Sequence, residues 1–128
     1  MINLNFLVTA GAQVAGAETF YFPVPVRGIV KSLNVSFDTA VASNDTLDVQ
    51  RDSTSVNKIT TGATTAGKVY TGTPDTTNKD LVFDPDSDTE AYKMLKIVIS
   101  ALATKNTVVG IDIEYDSSAS VVQAASEA

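Results

Sequence analysis

The sequence predicts an all-β fold: a single-domain β-sandwich, jelly-roll-like, of eight to nine short antiparallel strands. Three observations carry that expectation. Apolar and polar residues alternate with a period of two over much of the chain, the pattern of strands with one buried face. Sixteen Thr and 11 Ser form about a fifth of the 128 residues; the stiff branched Cβ of Thr suits a pleated surface, and Ser suits turns. Turn signals recur every ~8–12 residues, as in sandwiches and barrels.

The elements follow in order. Ile2, Leu4, Phe6 and Val8 alternate with Asn3, Asn5, Leu7 and Thr9, which reads as a strand. With the flexible break from Gly11 to Gly16 it makes residues 1–16 an N-terminal strand or arm and its link. The sandwich domain is expected at residues 17–116. From Thr19 to Val26, Phe20, Phe22, Val24 and Val26 share one side, while Pro23 and Pro25 lie on the other. Proline has no N–H for a ladder, so this strand belongs at an edge or at a switch between sheets. Ile29 to Asp38 places Leu33, Val35 and Phe37 inward and Ser32, Asn34 and Ser36 outward. Ala40 to Asp45 is a turn.

Leu47 and Val49 open a short hairpin that turns at Asp52-Ser53-Thr54-Ser55 and returns through Val56 and Ile59. Thr60 to Gly67 is a small polar loop. Val69 to Thr71 is a brief strand stopped by Gly72 and Pro74, and Leu81-Val82-Phe83 is another. Beyond an acidic turn come the two strongest segments. Ala91 to Ala101 carries Leu95, Ile97 and Ile99 on one parity with Met94 and Val98 on the other. Thr107 to Asp116 carries Val109, Ile111, Ile113 and Tyr115 inward against Asp112, Glu114 and Asp116. Thr104-Lys105-Asn106 joins them. Residues 117–128 form a Ser/Ala-rich tail.

Composition narrows the chemistry. The chain has no Cys, so disulfides, thiolate nucleophiles and Cys-based metal sites are excluded. It has no His, which removes the Ser-His-Asp triad and the usual zinc and haem ligands. A net charge of −6 argues against a phosphate-backbone partner, so no nucleic acid is expected. No run approaches the ~18 apolar residues of a membrane helix. Ala15-Gly16-Ala17 looks like a signal-peptide cleavage site, but the first basic residue is Arg27, so a signal peptide is not expected. The expectation is a binding or structural protein rather than an enzyme, with no cofactor.

Four constellations could carry chemistry. Asp84, Asp86, Asp88 and Glu90 alternate in a turn, and carboxylates so spaced can converge on Ca²⁺. Yet Thr89 stands where an EF-hand loop needs Gly and Leu95 where it needs the bidentate Glu, so a solvated loop is the plainer reading. Tyr21, Tyr70, Tyr92 and Tyr115 could offer faces to sugar rings, and Tyr21 and Tyr92 fall on the outward parity; ordinary packing or a subunit interface is the plainer alternative. Asp112, Glu114 and Asp116 share one strand face at ~6–7 Å spacing, within range for a two-carboxylate glycosidase, but any half-exposed strand shows the same. Asn34-Val35-Ser36 and Asn44-Asp45-Thr46 match the glycosylation pattern without a secretory context.

In style and order, Phe20 to Asp116 resembles the small β-sandwich, jelly-roll-type capsid decoration (cement, or head-stabilising) proteins of tailed bacteriophages. The resemblance runs through the strand near Val24-Pro25-Val26-Arg27-Gly28-Ile29-Val30-Lys31-Ser32-Leu33, the hairpin TLDVQRDST, the Thr/Gly-rich middle, and the paired LKIVIS and VVGIDIEYD segments. It implies a non-enzymatic virion protein on the outer capsid surface, binding the major capsid protein, forming a homotrimer and stabilising contacts between capsomers. It carries over no particular functional residue. The N-terminal strand and the tail are natural arms for a neighbour's sheet edge. The alternatives are a carbohydrate- or receptor-binding jelly-roll module and a head-fibre or tail subunit.

Overall fold

The computed structural model describes residues 1–8, 18–37, 46–60, 67–99 and 107–115. They form two antiparallel sheets. The strands are β1 (Ile2–Val8), β2 (Glu18–Pro23), β3 (Gly28–Phe37), β4 (Thr46–Arg51), β5 (Thr54–Thr60), β6 (Val69–Thr71), β7 (Thr73–Pro74), β8 (Met94–Ile99) and β9 (Thr107–Tyr115). A 3-10 turn at Glu90–Lys93 leads into β8. Among the described residues no helix is long and apolar enough to cross a membrane.

The first sheet has the order β1-β9-β3-β6 and the second β2-β8-β4-β5-β7. Four antiparallel pairs nest around the innermost hairpin: β4 with β5, β3 with β6, β2 with β8 and β1 with β9. Two further pairs, β3 with β9 and β4 with β8, join these into sheets. This is one long hairpin rolled on itself, the connectivity of a jelly roll. The all-β sandwich expected from the sequence is therefore the fold.

Burial follows the alternation. Leu33, Val35 and Phe37 of β3, Leu95, Ile97 and Ile99 of β8, and Val109, Ile111 and Ile113 of β9 are all buried, while their neighbours on the other parity are not. The inner faces of the two sheets share a core that also takes Leu47, Val49, Val56, Ile59 and Phe83. Fully burying each such side chain removes enough apolar surface to stabilise the fold by ~1.5–3 kcal/mol.

Several elements differ from the expected pattern. Ile2–Val8 was expected as a strand or arm outside the 17–116 domain; it pairs with β9 from Ile2↔Ile113 to Val8↔Thr107 and is the edge strand of the first sheet. Its apolar residues Leu4 and Phe6 pack on the core, which is why it lies there. β2 is an edge strand of the second sheet, one of the two places the proline left open, and ends at Pro23. Leu81–Phe83 is not a strand. Only Phe83 pairs, exchanging two backbone hydrogen bonds with Gly28 at 2.8 and 3.0 Å.

The ladder shifts at Val30/Ser32 and again at Val49/Gln50. In the second bulge Val56 is the extra residue, so Asn57 stands opposite Val49 and faces inward. β7, absent from the expected set, pairs with β5 at Asn57 and Lys58. The Gly11–Gly16 link, the Ala40–Asp45 turn, the Thr104–Asn106 hairpin, the Ala15–Ala17 site, the Asn44-Asp45-Thr46 pattern except Thr46, Asp116 and the 117–128 tail lie outside the described residues.

Candidate functional site

The outer face of the first sheet is organised in cross-strand rows. Asn3, Asp112 and Ser32 are register partners across β1, β9 and β3. Ser32 Oγ donates to Asp112 Oδ2 at 2.6 Å and Asn3 Nδ2 donates to Asp112 Oδ1 at 2.7 Å. Those two bonds, Ser32 first, hold the Asp112 carboxyl below its ordinary range. Asn5 donates to Asn3 and lies over Gly110, where a Cβ would meet Asn5 Oδ1 at 3.1 Å. Thr71 Oγ1 donates to Asn34 Oδ1 at 3.1 Å in the same row. The face is thus a polar ladder.

The next row breaks that chemistry. Leu7, Val108, Ser36 and Val69 are successive register partners across all four strands. Leu7 is 57% exposed, Val108 47% and Val69 62%. Three large aliphatic side chains therefore stand in water in one line, beside the row of Asn5, Asn34 and Thr71 and the row of Asn3, Asp112 and Ser32. Alternation alone would have placed polar residues at these outward positions.

The acidic turn is held by local bonds. Asp84 Oδ1 accepts from the amide of Asp86 at 2.9 Å, and its carboxylate pairs with Arg27 at 3.5 Å. Glu90 pairs with Lys93 at 2.9 Å. That hydrogen bond and the Glu90 charge hold Lys93 above its ordinary value, with Asp86 and Asp88 adding smaller pulls. Among the described residues no three acidic side chains are grouped so as to hold a metal ion, so Asp84, Asp86, Asp88 and Glu90 are not brought together as a calcium site. Asp84 and Glu90 instead face different cations, Arg27 and Lys93.

The tyrosines separate into different roles. Tyr21 is 57% exposed on β2. Tyr92, expected outward, is half-buried in the 3-10 turn, where the Arg51 guanidinium covers its ring at 3.9 Å from the centroid. Arg51 also donates to the Val82 carbonyl at 3.0 Å, so this contact ties the β4–β5 hairpin to the 81–93 segment. Tyr70 is half-buried against the core, 6.2 Å from Phe37 by ring centroids. Of Tyr115 only the backbone is described. On β9, Glu114 pairs with Lys31 at 3.3 Å while Asp112 is held by Ser32 and Asn3. Asp112 and Glu114, two of the three carboxylates on that strand face, thus serve separate structural contacts, as on any half-exposed strand.

The described residues line open concavities. A groove of about 500 Å³ runs where β5, β6 and β7 meet, lined among others by Tyr70, Thr71, Thr73, Lys58 and Asp75. A smaller one of about 230 Å³ lies over the second sheet, lined by Tyr21, Asp52, Ala91, Met94 and Lys96. Asp52 and Ser53 make the two-residue hairpin loop, and Asp52 takes a left-handed φ of 60°. Asp tolerates that conformation better than most residues.

No family model, curated protein or solved structure matches this chain.

Proposed function

We propose that this chain is a non-enzymatic structural virion protein that binds the outer surface of a phage capsid and cements contacts between capsomers. The single observation that supports it is the Leu7–Val108–Val69 row. A protein that works by attachment needs apolar surface held in water by a rigid scaffold, and a sheet face fixes that surface with little ordering left to do on binding. The polar ladder next to the row, Asn3, Asn5, Asn34 and Thr71, supplies rim hydrogen bonding of the kind interfaces carry. The carboxylates that best fitted hydrolytic chemistry, Asp112 and Glu114, are committed to Ser32, Asn3 and Lys31.

Binding only the assembled lattice stabilises it by mass action, and many copies multiply a modest per-site affinity. The major capsid protein is the proposed partner and the homotrimer the proposed assembly. The test is a binding isotherm against expanded capsids, followed by heat or osmotic challenge of decorated and stripped particles. Saturable binding with longer survival of decorated particles supports the proposal. Equal survival, or no saturable binding, overturns it. Solution mass measurement reads the trimer separately.

A further inference from the structure

From the cavity on the second sheet we infer that the protein carries a binding site for a single pyranose ring, the terminal sugar of a glycan. The inference is independent of the capsid reading, because it concerns the opposite face of the sandwich. Tyr21 and Lys96 are register partners on β2 and β8, and Met94 lies two residues before Lys96 on the same face. The Asp52 hairpin tip and Ala91 of the 3-10 turn stand at the margins of the same cavity.

Its polar groups are uncommitted. Several other carboxylates are held locally: Asp48 accepts from Gln50 and Ser55, Asp75 from the amides of Thr77 and Asn78, and Asp84 pairs with Arg27. The carboxylate of Asp52, the ammonium of Lys96 and the hydroxyl of Tyr21 have no hydrogen bond or ion pair among the described residues.

Three groups of different kinds then face one space. A carboxylate only accepts hydrogen bonds, and an ammonium only donates. An exposed aromatic face offers an apolar platform. Each charge attracts one sign and repels the other, so a ligand that uses both carries no net charge and presents a donor close to an acceptor. A polyhydroxylated ring does so: vicinal hydroxyls donate to Asp52, a ring or hydroxyl oxygen accepts from Lys96, and the C–H face lies on Tyr21. Ala91 and Met94 supply apolar contact. At about 230 Å³ the cavity falls below the ~300–1,000 Å³ of drug-sized sites, which limits the occupant to one ring.

The test is an amide-shift titration of the intact protein with a panel of methyl pyranosides, alongside glycerol and sorbitol as acyclic polyols. The expected result is saturable shifts at Tyr21, Asp52, Ala91 and Lys96 for at least one pyranoside. Tyr21→Ala and Asp52→Asn, with spectra still dispersed as in a folded chain, should each weaken binding about tenfold, the size of one lost charge-assisted hydrogen bond or ring contact. Absence of saturable shifts with every pyranoside overturns the inference. So do equal shifts with sorbitol, or affinity unmoved by both substitutions.

Discussion

Phe6 and Phe22 stack with ring centroids 4.2 Å apart and planes 27° from parallel, although β1 and β2 are edge strands of opposite sheets. The pair closes the side of the sandwich that the central strands leave open. Both rings are half-buried, so truncation loses apolar burial but not a full core position. Phe6→Ala should destabilise the protein by about 2–4 kcal/mol, somewhat below a fully buried Phe. A double-mutant cycle with Phe22→Ala, read by denaturant unfolding, should give a coupling of about 0.5–1.5 kcal/mol. Strict additivity would mean that the stack holds nothing together.

Gly28 sits where backbone meets backbone. A Cβ there would lie 2.2 Å from the Glu114 carbonyl oxygen and 2.9 Å from Ile113 Cγ2. The carbonyl belongs to β9 and has no rotamer in which to retreat. Gly28→Ala should therefore cost about 3 kcal/mol, at the upper end for overpacking, and loosen the Gly28–Phe83 bridge as well. Gly67 is the contrast: φ is +76°, but a Cβ would meet nothing within 4 Å. Gly67→Ala should cost only the left-handed penalty of about 1–2 kcal/mol. Thermal melts of the two variants side by side test the ordering.

How much of this was legible in the sequence depends on how local the cause is. The inward faces of β3, β8 and β9 follow from alternation because one buried side is enough to sort their residues. The edge position of β2 follows from Pro23, which lacks a donor. Asn57 was not legible: its inward direction comes from the Val56 bulge, and a bulge reverses parity without any marker in composition. The Arg51–Tyr92 contact and the cavity shared by Tyr21, Asp52 and Lys96 join segments far apart in sequence, so only Tyr21 and Tyr92, on outward parities, could be picked in advance. The acidic turn was legible only in part. Its spacing is local, but its partners Arg27 and Lys93 come from either side of it.

Asn57 is 1% exposed, and neither its Nδ2 nor its Oδ1 finds a partner among the described residues. Its oxygen occupies the space that a Gly72 side chain would take, at 2.2 Å from that Cβ position. Burying an unpaired amide is unfavourable, whereas Leu branches at the same carbon and has no polar group to desolvate. Asn57→Leu should raise stability by about 1 kcal/mol, read as a higher denaturant midpoint with unchanged slope. A lower midpoint would show that the amide is satisfied in solution.

Asp112 gives the acid limb of stability a specific origin. Its folded pKa is lowered from the ordinary 3.8 by Ser32 and then Asn3. A carboxyl shifted down in the folded state stabilises it above the unfolded pKa and loses that contribution as pH falls through the folded value. The melting temperature should therefore drop below about pH 4, and Asp112→Asn should flatten that part of the profile without altering the slope near neutrality. A variant with the same acid limb as the parent would assign the drop to other carboxylates.

The Leu7–Val108–Val69 row separates attachment from folding. These side chains point away from the core, so Leu7→Ser, Val108→Thr and Val69→Thr should each change stability by no more than about 0.5 kcal/mol. If the row is the contact surface, the triple substitution removes apolar area that becomes buried only on binding, and attachment to particles should weaken by orders of magnitude while the melt hardly moves. An outward control on the other sheet, Thr19→Ser, should leave attachment intact. Equal loss in row and control would mean that the particle does not read this face. Loss of folding in the triple variant would mean that the row supports the sheet itself, and single substitutions then decide which residue does so.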